Sequence, residues 1–126
     1  VLDFGFLKDE MLKRIDAPCD HGMILSIDDP DMLSLFCPDG EVFATWRAAL
    51  GAKVAATGYA ATDACRFAQK LYVIGPQPTA ECLARHWFEV LAPGVRARSD
   101  NHAELVQVRV EETPNCWATF DPGFLS

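Results

Sequence analysis

The sequence predicts an α+β fold on three observations. Two segments, near the start of the chain and again from residue 79, carry apolar residues at helical spacing. Residues 105 to 112 alternate between apolar and polar side chains and are followed by a second β-prone run, Cys116 to Phe120. Leu71-Tyr72-Val73-Ile74 is a short apolar run stopped by Gly75-Pro76. Half of the 126 residues are hydrophobic, enough to bury a core, and the length predicts one domain over 1–126.

The elements follow in order. Asp3 is a plausible N-cap for a helix whose stripe is Phe4, Leu7, Met11, Leu12 and Ile15, with Glu10 and Arg14 on the wet side. That helix ends near Asp16-Ala17-Pro18, and a loop then carries Cys19-Asp20-His21-Gly22. The apolar stretch Met23 to Ile27 leads to the polar turn Asp28 to Asp31. Val42, Phe43, Trp46, Ala49 and Leu50 fit a short helix with Gly51 past its end, and residues 54 to 68 read as helix or ordered loop. A second amphipathic helix starts at Pro78-Thr79, with Glu81 in its first turn, and its stripe is Ala80, Leu83, Ala84, Trp87, Phe88 and Leu91. Ala92-Pro93-Gly94 is expected to end it. His86 falls outside the stripe and His102 lies in a polar loop, so both are expected to be solvated.

The net charge of −7 argues against nucleic-acid binding, which needs a basic patch. The apolar runs are too short to cross a membrane, and the first residues lack the features of a signal peptide, so the expected location is cytoplasmic. Five widely spaced cysteines without a C-x-x-C pair predict reduced thiols rather than a disulfide framework or zinc finger.

Two places carry candidate chemistry. On the 105–112 segment, Val106, Val108 and Val110 share a face with Glu112, while Glu111 points the other way. Glu112 either emerges into water at the strand end, pairs with an arginine, or anchors a ligand, because a buried carboxylate needs a partner. Its two oxygens match a pair of parallel N–H groups such as the 2-amino and N3–H edge of a pterin or guanine-like ring. Asp20-His21 joins a carboxylate to a histidine able to move protons near neutral pH. An Asp-His dipeptide alone reads first as a surface loop.

Taken in order, four motifs resemble the 6-pyruvoyl-tetrahydropterin synthase and 6-carboxy-tetrahydropterin synthase family. They are V-L-D-F-G-x-L-K at Val1, Cys19-Asp20-His21 against the family's L-D-H, Pro78-Thr79-Ala80-Glu81 with Leu83-Ala84, and Val108-x-Val110-x-Glu112-Thr113-Pro114. Residues 38–72 lie outside the resemblance and look like an insertion. The resemblance implies the T-fold, an antiparallel sheet with two helices on one face, incomplete here at its N-terminal strands. It also implies a homo-oligomer, a hexamer of two trimers, with sites between subunits.

The implied substrate is 7,8-dihydroneopterin triphosphate. The carboxy-forming branch gives 6-carboxy-5,6,7,8-tetrahydropterin, acetaldehyde and triphosphate on the way to queuosine; the pyruvoyl-forming branch keeps the carbons. By position, His21 matches the relay histidine, Asp20 its partner, Glu112 the glutamate that grips the pterin and is sometimes counted with the catalytic relay, and Thr79 a residue whose backbone lines the pocket. The family's cofactor is Zn2+, held by three histidines that, with the catalytic cysteine, would lie upstream of Val1. No residue of this chain is expected to hold metal, so the chain alone is expected to be inactive. An N-terminal piece absent from the sequence is the expected reason; a mis-assigned start and a short protein that has lost its chemistry are the alternatives. The rival from another class is a non-catalytic T-fold protein that binds a pterin or purine.

Overall fold

The structure is a computed structural model describing residues 5–113 and 115–124, without the side chains of Glu112, Thr113 and Phe124. Asp3 and Phe4, expected to open the first helix, lie outside the described residues. Helices and strands are both present, as the α+β expectation requires. The chain divides into two compact units, Val1–Ala17 with Thr79–Ser126, and Pro18–Pro78.

In the first unit, α1 (Gly5–Met11) runs on into a π-helical turn, Leu12–Asp16, and later packs beside α5 (Ala80–Arg98). Strands β4 (Val108–Thr113) and β5 (Cys116–Phe120) form an antiparallel pair against α5. Ala80, Ala84, Trp87, Leu91 and Val95 are buried along α5 at helical spacing, and Phe88 meets the Phe120 ring at 5.2 Å.

Three expectations fail here. The stripe on the first helix holds only in part: Leu7 and Ile15 are half-buried, but Glu10 is buried while Met11 and Leu12 are 45% and 44% exposed. The cause lies on α5. Gly94 has no side chain, and a Cβ there would sit 2.5 Å from Glu10 Oε2, so glycine is what makes room for the carboxylate. Arg98 Nη1, 3.3 Å from Glu10 Oε1, and Arg14 Nε, 3.4 Å from Oε2, supply the charge that a buried carboxylate requires.

Pro93 does not end α5, which continues to Arg98. A proline inside a helix costs about 3 kcal/mol; burial of Val95 and the docking of Arg98 on Glu10 offset it. His86, expected in water, is buried, its ring edge-on to Trp87 at 4.9 Å. The buried stripe is wider than the apolar residues alone mark out. His102 is exposed as expected, with Nδ1 3.0 Å from the Ser99 carbonyl oxygen.

Burial pushes the His86 imidazole below its ordinary value of 6.5, with the Glu89 charge opposing. The unfolded chain therefore binds the proton more readily than the folded one. The stability this contributes is complete above about pH 6.5 and is lost as pH falls through the lowered folded value. Between pH 7.5 and 5.5 the thermal midpoint of the wild type is expected to drop a few degrees more than that of His86→Phe. Parallel drops in a melting series would show that His86 does not carry this dependence.

The second unit holds a three-stranded sheet in the order β1-β3-β2. Strand β1 (Met23–Ser26) pairs parallel to β3 (Leu71–Ile74), and β2 (Tyr59–Thr62) pairs antiparallel on its other side. As the middle strand, β3 is buried at all four positions. Leu25, Leu71 and Val73 join Leu33 of α3 (Pro30–Leu35) and Trp46 and Leu50 of α4 (Phe43–Thr57) in one apolar cluster. Each such fully buried side chain stabilises the fold by roughly 1.5–3 kcal/mol.

Helix α4 is longer than expected. Gly51 lies inside it, because Phe43, Trp46, Arg47, Leu50 and Val54 continue one inward stripe. The true stop is Gly58, at φ +91°, whose N–H donates to the Val54 carbonyl at 2.8 Å. Residues 54–68 are thus shared between α4, β2 and a short 3-10 turn at Arg66–Ala68. No helix among the described residues is long and apolar enough to cross a membrane.

Candidate active site

Asp20 and His21 belong to the second unit, at the point where a short helical turn, α2 (Ala17–Cys19), gives way to β1. The chain reverses through a four-residue turn closed by the Gly22 N–H donating to the Cys19 carbonyl at 2.8 Å. His21 occupies the third position at φ +59°. That conformation is uncommon for a residue with a side chain, though histidine is among those enriched there. Gly22 is confined as well: a Cβ would lie 3.0 Å from the Cys19 carbonyl and 3.1 Å from Lys70 Cβ.

The turn displays the imidazole to solvent, with the His21 side chain 93% exposed and that of Asp20 69% exposed. Asp20 Oδ1 lies 3.8 Å from Nε2, too far for a hydrogen bond. As it stands, the pair is a surface loop with an exposed imidazole at its tip.

Thr79 and Glu112 belong to the first unit. Thr79 is the N-cap of α5, its Oγ1 accepting from the Cys82 N–H at 3.2 Å. Helix α5 therefore begins at Ala80, with Thr79 half outside it.

Along β4 the predicted alternation holds from Val108 to Glu111. Val108 and Val110 are half-buried towards α5, while Arg109 and Glu111 are exposed. On the outer face the Arg109 guanidinium sits 4.3 Å from the Trp117 ring centre and 3.2 Å from Glu111. Val106 is not part of the ladder and is 66% exposed, because β5 ends at Phe120, opposite Val108.

Past Glu111 the register shifts. Glu111 pairs with Trp117 and Thr113 with Cys116, leaving Glu112 as the extra residue of a bulge. A bulge breaks the two-residue period and re-aims a side chain, so alternation does not by itself fix the direction of Glu112. Its side chain lies outside the described residues. Sequence reading missed this feature, for which the pattern of apolar residues holds no signal.

A cavity of about 760 Å³ in the first unit is lined by residues including Phe88, Pro93, Arg96, Glu104, Val106 and Asp121. It opens beyond Val108 and Phe120, at the end of the β4–β5 pair remote from Glu112, and none of the four candidate residues lines it.

No cluster of three His, Cys, Asp or Glu side chains able to hold a metal occurs among the described residues. His21 is on a turn, His86 is packed on Trp87, and His102 lies beside the Ser99 carbonyl oxygen. These residues do not fit a zinc site. The five cysteines form no disulfides with one another: four are partly buried and Cys116 is exposed.

The sequence matches the family described as 6-pyruvoyl tetrahydropterin synthase over residues 1–123, and the chain belongs to that family. Among curated proteins it is similar to the 6-carboxy-5,6,7,8-tetrahydropterin synthase of Rickettsia conorii, 30% identical over 117 residues covering 93% of this chain and 64% of the relative. The protein of the same name from Rickettsia felis is 29% identical over the same shares. The chain thus spans 64% of the length of these two relatives. No solved structure gives a significant match.

Proposed function

We propose that this chain is the larger part of a pterin-forming lyase with the T-fold. Its substrate on this reading is 7,8-dihydroneopterin triphosphate, and its products are 6-carboxy-5,6,7,8-tetrahydropterin, acetaldehyde and triphosphate, as in queuosine biosynthesis. The observation that carries the reading is membership of the synthase family over residues 1–123. The names of the two curated relatives favour the carboxy-forming branch over the pyruvoyl-forming one.

In this reading Glu112 accepts the 2-amino and N3–H donors of the pterin, and the Thr79 backbone borders the ring. His21 returns a proton to the substrate side chain, and Asp20 stabilises the imidazolium. The described residues offer no cluster of three metal ligands; on this reading Zn2+ and its ligands come from outside them, and the active form is a homo-oligomer of two stacked trimers. Because the chain is acidic overall, with a net charge of −7, the triphosphate needs a local basic patch.

The lack of a metal cluster among the described residues favours one second reading, a non-catalytic protein that binds a pterin or purine. An assay of the assembled protein with zinc and dihydroneopterin triphosphate separates the two. Formation of acetaldehyde and a 6-carboxypterin supports the lyase. Ligand binding without product supports the binder.

A further inference from the structure

The turn that carries His21 is braced by a segment outside the four family-like motifs. The Gln69 side chain donates from Nε2 to the His21 carbonyl at 3.2 Å and to the Lys70 carbonyl at 3.2 Å. Lys70 then closes the turn from the other side: its carbonyl accepts the Met23 N–H at 2.9 Å, and its Cβ lies against Gly22. Residues 69–70 thus hold the His21 carbonyl and the Met23 N–H, on either side of Gly22, just before β3 pairs with β1.

Reaching that place strains the chain. Phe67 and Ala68 are consecutive left-handed residues, at φ +68° and +49°. A bulky aromatic residue rarely takes that conformation, and holding it there costs free energy that the surrounding contacts must offset. Phe67 gains little burial in return, since it is 80% exposed. The strained turn is pinned on both flanks. The Arg66 N–H donates to the Phe36 carbonyl at 2.9 Å, Arg66 pairs with Asp39 at 2.6 Å, and the Cys65 thiol donates to the Gln69 carbonyl at 3.0 Å.

We propose that the 65–70 loop is a strained brace and that Gln69 is a positioning residue for His21. The amide fixes the backbone of an exposed turn, so that a side chain with little packing of its own projects in one direction. This rests on the lyase reading only for its catalytic consequence; the brace itself is a property of the second unit.

Gln69→Leu keeps the side chain's size and removes the donor, and Gln69→Glu keeps its shape and leaves only acceptors. In 15N relaxation of the wild-type chain, the amides of residues 20–22 are expected to be as rigid as β1, with order parameters of about 0.85, falling below about 0.6 in both variants while β1 and β3 are unchanged. In the active enzyme both variants are expected to lower kcat about tenfold with KM within about twofold, and to lower it no further in a His21→Ala background. Unchanged order parameters at residues 20–22, loss of the β1–β3 amide pattern in both variants, or an equal kcat loss with and without His21 would each overturn the brace. A wild-type protein that shows no turnover would instead remove the lyase reading, while relaxation still decides the brace.

Discussion

His21→Ala is expected to lower kcat roughly 100- to 1000-fold and to leave pterin binding within about twofold, the range in which a positioned acid–base group acts. The side chain is 93% exposed and packs little, so its removal creates no cavity and little loss of stability. An effect on turnover would therefore report chemistry rather than unfolding. Asp20→Asn is expected to act in the same direction but more weakly, since the two side chains stand 3.8 Å apart. Steady-state kinetics beside a thermal melt check both. Unchanged turnover in His21→Ala would remove this histidine from the mechanism.

Glu112→Gln is expected to weaken pterin binding about 30-fold, and Glu111→Gln by less than about twofold. A carboxylate can accept two parallel N–H bonds from the ring, whereas an amide offers one acceptor and one donor. The exchange loses one charge-assisted bond and sets a donor against a donor, on the order of 2 kcal/mol. Glu111 is a matched control on the same strand: its carboxylate is exposed and pairs with Arg109 at 3.2 Å. Fluorescence titration of the two variants measures the contrast. Equal losses would contradict the assignment of Glu112 to the ligand.

Much of the hairpin behind these residues could be read from sequence, because a half-buried strand records its pairing in a two-residue alternation. Val108, Val110, Arg109 and Glu111 face as that pattern predicts, and Ala118 of β5 completes the buried side. The bulge at Glu112 could not be read, since an extra residue in a ladder changes geometry without changing composition.

The helices failed where a local rule met a tertiary contact. Glu10 looks like a surface residue until Gly94 and Arg98 face it from 84 or more positions away. Pro93 and Gly51 look like stops until the inward stripe is seen to continue past them, to Val95 and Val54. In the second unit, β3 was visible as a short apolar run. Its parallel partner β1, 45 or more residues earlier, was visible only as an apolar stretch, because sequence alone does not fix strand pairing.

At the candidate site, Asp20-His21 was found as a dipeptide, and Gly22 was the available hint of a tight turn. The left-handed backbone of His21 and its support by Gln69 depend on residues 48 positions apart and had no local signal.

The measurement that bears most directly on the account compares two ligands on one protein: a pterin, and lumazine, which carries a carbonyl where the pterin has its 2-amino group. If the Glu112 carboxylate grips that edge, the wild type binds the pterin at least tenfold more tightly, and Glu112→Gln removes most of the preference. Equal affinities of the wild type for both ligands would contradict it.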